Sequence, residues 1–486
     1  MNLNNSTLGQ LNHEVSVPNY GREKLKHGIV HIGVGGFHRS HQAVYTHRLL
    51  QEKGDTDWSI CGVGLRAGDK AMQQVLSSQD HLYTLIELGP EGARAPTVIG
   101  SISDFLFAPD EQDAVIEKMA SQEVKIVSLT ITEGGYNVDD STGRFNADDP
   151  DVCHDLENPQ QPRSVFGYLT EALRRRRERN LPPFTVMSCD NLPENGKVAR
   201  GALLAFANLR DPDLAAWIEA EVSFPGSMVD RITPGTGDQH RQWLRDQYDV
   251  EDGWPVICEP FCQWVLEDDF CNGRPEWEKV GVQFTDNVAP YERMKIRLLN
   301  ASHSAMAYLG YLSGYRYTHE VMADERFSQF IRNFMDEDVT PVLGPISGID
   351  IPAYKQTLIE RFSNPQMGDQ LARLCMDGSS KIPKFLVPTI ESLVKGGHSL
   401  SRVALVVASW ALYLRGEDER GEKHKVDDPV AGRLQAAVSN RASLSQDFLG
   451  MADIFGPTLA GSTAFEDAFN AALDRLETHG VMATLE

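Results

Sequence analysis

The chain has 486 residues and a formal net charge of −23, set by 46 Lys and Arg against 69 Asp and Glu. At about 100–200 residues per domain this length suggests two to four domains, with two large ones the better fit. A composition of 41% hydrophobic and 24% charged residues is that of a globular protein and excludes disordered, collagenous and low-complexity classes.

So acidic a chain would need a local basic patch to bind nucleic acid or anionic lipid. The basic run, Arg174 to Arg177 with Arg179, reads instead as the solvated end of a surface helix, where cations suit the dipole. No nucleic-acid or membrane partner is therefore expected. The seven cysteines are scattered and odd in number, which points to reduced thiols and the cytoplasm. Cys258, Cys262 and Cys271 lie closest together but lack the paired spacing and fourth ligand of a zinc site, so no metal is expected. Met1 to Ser6 shows no basic segment leading into an apolar one, and the longest apolar stretch, Val403 to Leu414, is too short to span a bilayer.

In chain order, Gly28 to Ile32 is an apolar strand entering a glycine-rich turn, Gly33-Val34-Gly35-Gly36-Phe37-His38-Arg39. A helix is predicted from Ser40 to Glu52, stopping at Gly54, and a second strand from Trp58 to Gly64. This unit opens a dinucleotide fold. Gly33 permits the tight turn, Gly35 lets a pyrophosphate approach the backbone, and the helix N-terminus supplies amide donors. The third position departs from the pattern, because His38 in place of Gly should keep the helix from approaching the strand as closely. Asp69, the first acid after the second strand, is placed to grip the ribose diol of NAD rather than NADP, although it would also serve as a helix cap.

Further strands are predicted at Tyr83 to Glu87, Thr97 to Ile102, Val124 to Thr132, Phe184 to Cys189, Val256 to Glu259 and Val280 to Phe284. Helical patterns such as Glu111 to Ala120 and Val165 to Arg176 alternate with several of them, which predicts an α/β sheet. After Tyr291 helical patterns dominate, among them Glu292 to Leu312, Glu325 to Met335, Ala353 to Phe362, Thr389 to Val394, Ser401 to Arg415 and Phe465 to Glu477. The boundary is placed at Asp286, giving a dinucleotide-binding domain over 1–286 and a mainly helical domain over 287–486.

On a helix with about 100° between neighbours, Glu292, Lys295, Asn300 and His303 share one side, with Asn300 roughly 140° round from Lys295. One helix would then present an amine, an amide and an imidazole together; a plain amphipathic helix with a wet face is the competing reading. Tyr291-x-x-x-Lys295 also matches the Tyr/Lys pair of short-chain dehydrogenases, but those are single domains about half this long with the pair nearer the glycine turn. Asn191 follows the strand Phe184 to Cys189, where open parallel sheets bind ligands. Asp230 sits in Met228-Val229-Asp230-Arg231, and Arg373 and Lys381 flank a helix end.

These segments, together with Ser128 to Tyr136, Ser188 to Pro193 and Met228 to Pro234, resemble the polyol-specific long-chain dehydrogenases and reductases over nearly the whole chain. The resemblance implies an N-terminal Rossmann-type domain, a helical C-terminal domain, and a metal-independent, NAD-dependent enzyme, often monomeric, that oxidises D-mannitol to D-fructose. It implies Lys295 as general base, Asn191 and Asn300 as amide donors to the reacting oxygen, and Glu292 on a proton route from Lys295 to water. His303, Arg373, Lys381 and Asp230 would hold the sugar. Gly33, Gly35, Gly36, Phe37, Arg39, Asp69 and Val229 would hold NAD.

The chemistry is consistent with that assignment. Removing hydride from a secondary alcohol needs a base for the hydroxyl proton and donors for the alkoxide charge that grows as the C–H bond breaks. A lysine, ordinarily titrating near ~10.4, serves as that base only if desolvation or a neighbouring cation lowers it. Arg373 and Lys381 would equally pair with a carboxylate, so a uronate reductase of the same family, such as fructuronate reductase, is the nearest alternative, ahead of another polyol dehydrogenase. A redox sensor or scaffold that binds NAD without turnover is the alternative from a different class.

Overall fold

The computed structural model describes residues 1–139 and 143–485. It divides into two compact units, Met1–Ala289 and Pro290–Glu486.

The first unit is built on a five-stranded parallel sheet. Its strands are β1 (Ile29–Ile32), β2 (Ile60–Gly64), β3 (Ile102–Phe107), β4 (Ile126–Leu129) and β5 (Thr185–Ser188), in the order β3-β2-β1-β4-β5. All four pairings are parallel. This is the strand order of a Rossmann-type nucleotide-binding sheet, with its order reversing at β1. Near-continuous apolar runs form these strands because both faces are covered. Val30, Ile32, Val63, Val127, Leu129 and Val186 enter one core cluster, while Ile29, Ile60, Ile126 and Met187 enter the other.

Two smaller sheets depart from the single sheet expected. Tyr83–Gly89 pairs with Val256–Cys258, Gly92–Ala93 and Thr97–Ile99. The strand β6 (Ser227–Asp230) pairs antiparallel with Gln263–Glu267, which pairs in turn with Gln283–Thr285. The stretch Thr97 to Ile102, read as one strand, is two that belong to different sheets. The break falls at Gly100, where a Cβ would come within 2.9 Å of Pro18 Cγ. Val280 to Phe284 is likewise divided by Gly281 at φ +101°, so a 3-10 turn precedes a shorter strand.

The run Arg174 to Arg179 is a solvated helix end only in part: Arg177 and Arg179 are exposed, but the other arginines are not. Arg176 is fully buried and donates to the carbonyls of Met119, Ser121, Val124 and Pro182, and Arg174, Arg175 and Arg210 converge on the buried Glu171. A guanidinium carries five donors in a fixed fork, so it can cap several chain ends at once.

The second unit is helical. Its central helix, Ser401–Tyr413, is the long apolar stretch of the sequence, buried against Ala301–Leu312 and Thr463–Thr484. Among the described residues no helix is long and apolar enough to cross a membrane.

Candidate active site

After β1 the chain turns at Gly33, which adopts φ +94°. A Cβ there would lie 2.1 Å from the Thr130 carbonyl oxygen, so only glycine fits. The peptide is held on both sides: Gly33 N–H donates to Val63 O at 3.0 Å, and the Thr130 hydroxyl donates to Gly33 O at 2.7 Å. Helix α1 (Gly36–Ser40) follows at once, and α2 (Gln42–Lys53) ends on Gly54 at φ +65°. The predicted single helix is therefore two, starting earlier. The break is His41, at φ −120° and ψ −93°, whose ring lies 2.9 Å from Gln263 O.

This turn fits a dinucleotide. A Cβ on Gly35 would lie 3.8 Å from Gly33 O and one on Gly36 3.5 Å from Thr233 Cγ2, ordinary contacts, so the absence of side chains leaves the backbone here approachable, and the first turn of α1 carries no acidic residue to oppose a pyrophosphate. Asp69 is the first residue of helix α3 (Asp69–Ser78), whose N-cap is Gly68; its carboxylate accepts Arg66 N–H at 2.9 Å from the turn before the helix, so it does not cap the helix. It also folds back over the end of β2, where a Cβ on Gly64 would lie 2.6 Å from Asp69 Cβ, so the acid stands beside the strand end that faces a ribose in this fold. Phe37 stacks on His41 at 4.9 Å. The Arg39 guanidinium is turned inward, buried on the Trp254 carbonyl and over the Tyr83 ring, so only its main chain belongs to the turn.

At the C-terminal ends of β4, β5 and β6 the same unit gathers Asn191, Val229 and Asp230. Asn191 is exposed, and its position is set by its neighbour. Asp190 is buried and accepts from Ile131 N–H, Thr132 N–H and the Tyr136 hydroxyl. Burial pushes its carboxyl above the usual carboxylate range, although these donors act against the shift. Asn195 donates to both Asp190 O and Ser227 O and accepts from Ser227 N–H, which ties the end of β5 to the start of β6. Val229 and Asp230 are buried, in register with Trp264 and Gln263. Asp190 and Asn195 were not singled out in the sequence, although an Asp-Asn pair after a buried strand was the available signal.

In the helical unit, α4 (Ala289–Lys295) runs into a π-helical turn, Ile296–Asn300, and then α5 (Ala301–Leu312). Ala301 N–H reaches back five residues to Ile296 O. In such a turn residues five apart lie one above the other, so Asn300 comes round towards the Lys295 face rather than roughly 140° away. Glu292 and Lys295 are buried, and Asn300 Oδ1 is buried with no partner among the described residues. The His303 ring packs on Phe362 at 4.8 Å. Tyr291 donates its hydroxyl to Ser347 O at 2.8 Å, which commits the group that a tyrosine-base reading would need.

Arg373 lies on α6 (Leu371–Cys375) and Lys381 on α7 (Gly378–Phe385), and both helices pack against α5. Lys381 Nζ donates to the carbonyls of Arg373 and Leu374 at the end of α6, and burial lowers its pKa below the ordinary lysine value. Arg373 places Nε and Nη2 on one oxygen of Asp369, at 3.0 and 2.6 Å. Among the described residues no three His, Cys, Asp or Glu side chains are grouped as metal ligands would be.

A glycine turn at the order reversal of a parallel sheet, with a separate helix carrying a buried amine and an amide, defines a two-domain dinucleotide-binding dehydrogenase. Residues 27–279 match the mannitol dehydrogenase Rossmann domain and residues 287–477 the mannitol dehydrogenase C-terminal domain. The chain is 49% identical to a mannitol 2-dehydrogenase of Phaeosphaeria nodorum, covering all of this chain and 85% of that protein. Among solved structures it resembles Pseudomonas fluorescens mannitol 2-dehydrogenase in ternary complex with NAD and D-mannitol, at 55% identity and TM-score 0.88 over 100% of this chain and 99% of that one. It also resembles a D-sorbitol dehydrogenase in substrate-free form, at 37% identity and TM-score 0.94 with full coverage of both chains. The chain belongs to the mannitol dehydrogenase family.

Proposed function

We propose that this protein catalyses the reversible, NAD-dependent oxidation of D-mannitol to D-fructose, with residues 1–286 holding the nucleotide and 287–486 supplying the base and most of the sugar contacts. The observation that carries the reading is the buried Lys295 followed directly by a π turn, a geometry that sets Asn300 nearer the lysine face than an even helix would. The similarity to a protein solved with NAD and D-mannitol supports the choice of cofactor and substrate.

In this reading Lys295 takes the hydroxyl proton, and Glu292, one helical turn before it, passes the proton onward to water. Asn191 and Asn300 donate to the oxygen as negative charge grows there; each amide does so without bringing a charge, and losing one such donor typically costs about 3 to 4 kcal/mol in the transition state. NAD, when bound, supplies the hydride acceptor. Gly33, Gly35, Gly36 and Phe37 shape its turn, Asp69 takes the ribose diol, Val229 lines the pocket and Arg39 braces the start of α1. His303, Arg373, Lys381 and Asp230 hold the hydroxyls, because a substrate with a hydroxyl on every carbon is told apart only by many directed contacts. A proton taken by an amine and charge met by amides call for no metal ion. The resemblance implies a monomer, and the seven cysteines, all free, suit the cytoplasm.

One observation favours a polyol over a uronate: Asp369 already pairs with Arg373, which weakens its pull on a substrate carboxylate while leaving Nη1 to meet a hydroxyl. Initial rates with D-fructose and D-fructuronate, side by side with NADH, test the choice, and a large preference for the acid overturns it. Lys295→Ala tests the mechanism. Turnover should fall by several orders of magnitude while NADH binding, read by fluorescence, persists; unchanged turnover removes the assigned base, and NADH binding without turnover in the unmodified protein would favour the sensor.

A further inference from the structure

We propose that His31 is a positioning residue for the cofactor, acting through an ordered chain of protons that runs from Gln42 through Ser128, His31 and Thr130 to the carbonyl of Gly33. The proposal rests on the reading of Gly33 to Phe37 as the nucleotide turn.

His31 lies within β1 and its side chain is fully buried. Its Nδ1 stands 2.8 Å from Ser128 Oγ and its Nε2 2.9 Å from Thr130 Oγ1. The direction of each bond follows from the far end. A carbonyl only accepts, so the Thr130 hydroxyl proton goes to Gly33 O. Thr130 must then accept from His31, which places the ring proton on Nε2 and leaves Nδ1 bare. Nδ1 in turn needs a donor, and Ser128 is the hydroxyl in reach.

Ser128 Oγ lies 2.9 Å from the Gln42 amide oxygen, while the Gln42 amide nitrogen is buried without a partner among the described residues. A half-turn of that amide resolves both conditions, since oxygen and nitrogen occupy the same outline. The nitrogen then donates to Ser128, and the oxygen faces His38, whose two ring nitrogens are also buried without a partner among the described residues. The opposite order, with Ser128 donating to Gln42, would require both His31 nitrogens to donate and the ring to be charged. Burial lowers the His31 pKa to about 3, and the groups acting on His38 are His31, Arg39, His41 and Gln42, with no carboxylate among them.

His38 completes the arrangement. It occupies the third position of the glycine motif, and its ring lies flat on that of His31, with centroids 3.4 Å apart and planes at 12°. Two neutral imidazoles thus fill the space that a third glycine would close. The functional consequence lies in the peptide that follows Gly33. A trans peptide is planar, so with Gly33 O tied to Thr130 the Val34 N–H points the opposite way, and the turn has its donor oriented before any nucleotide arrives.

The test is the dissociation constant of NADH, read by fluorescence titration of the full-length protein without turnover. Thr130→Val keeps the shape and removes the donor to Gly33 O; it should weaken NADH binding about tenfold, the worth of roughly one hydrogen bond, while Thr130→Ser stays near the unmodified value. His31→Phe should match Thr130→Val, and the double variant should be no worse than either single one, because both break the same chain. At saturating NADH, kcat and the KM for fructose should hold within about twofold in Thr130→Val, since uniform binding of the cofactor is what was lost. An unchanged constant for Thr130→Val, or additive losses in the double variant, overturns the proposal even if His31→Phe fails to fold. If the unmodified protein binds no NADH at all, the nucleotide reading falls and takes this proposal with it.

Discussion

The carboxylate of Asp190 accepts the main-chain N–H of Thr132 at 2.9 Å and holds that residue at φ +63°, a conformation that a β-branched side chain adopts only under constraint. Ile131 N–H and the Tyr136 hydroxyl complete the set of donors, so the turn after β4 is anchored directly beside Asn191. An amide in place of the carboxylate would aim a donor at a donor. Asp190→Asn should therefore cost about 1–3 kcal/mol of stability in denaturant titrations. It should also lower kcat/KM for mannitol about tenfold, the effect of misplacing a group beside the chemistry. Unaltered rates would mean that Asn191 does not depend on this anchor, or does not act.

Asp69→Ala removes the acid that folds back over Gly64. The preference for NAD over NADP, measured as the ratio of kcat/KM values, should narrow about tenfold, because a hydroxyl loses its acceptor and a phosphate loses a repulsion. A ratio that does not move assigns the ribose contact to another residue.

Tyr291→Phe deletes a hydroxyl that already donates to Ser347 O. The expected loss is about 1 kcal/mol of stability with most of the activity retained. Abolished turnover would restore tyrosine as a candidate base.

Glu171 is fully buried among Arg174, Arg175 and Arg210. Burial alone would raise its pKa, but the arginine hydrogen bonds prevail and hold it down at about 2. A depressed carboxylate lends stability that is complete above its ordinary value of 4.5 and drains away as the pH falls towards 2. Glu171→Gln should thus cost about 3 kcal/mol at neutral pH, as does breaking a buried pair from one side. The gap from the unmodified protein should shrink in denaturant melts at pH 3; a gap of constant size would show that ionisation is not its source.

Much of the architecture was legible along the chain. The turn at Gly33, the stop at Gly54, the buried parallel strands and the change to helical periodicity after Tyr291 are set by groups within a few residues of one another, so local pattern suffices. The candidate site was legible as residue types: the Lys295 to His303 stretch, Asn191, Asp230, Arg373 and Lys381 all stood out. Their arrangement was not. An even 100° per residue set Asn300 roughly 140° round from Lys295, and a π turn brings it nearer; that turn was not legible because it depends on what packs around it, and a second such turn, Phe334–Val339, packs against this one.

Composition and spacing by themselves established an acidic, two-part chain with a nucleotide turn and one polar helix face, since each of those rests on short-range sterics and periodicity. Folding in three dimensions decided which polar groups are spent and which remain available. Arg176 looks like a surface cation until distant carbonyls enclose it, Arg39 looks like a cofactor contact until the Trp254 carbonyl and the Tyr83 ring take its guanidinium, and His38 looks like a flaw in a glycine motif until the ring of His31 meets it. Such pairings join positions far apart in the chain, and no local rule records whether a buried donor has found its acceptor.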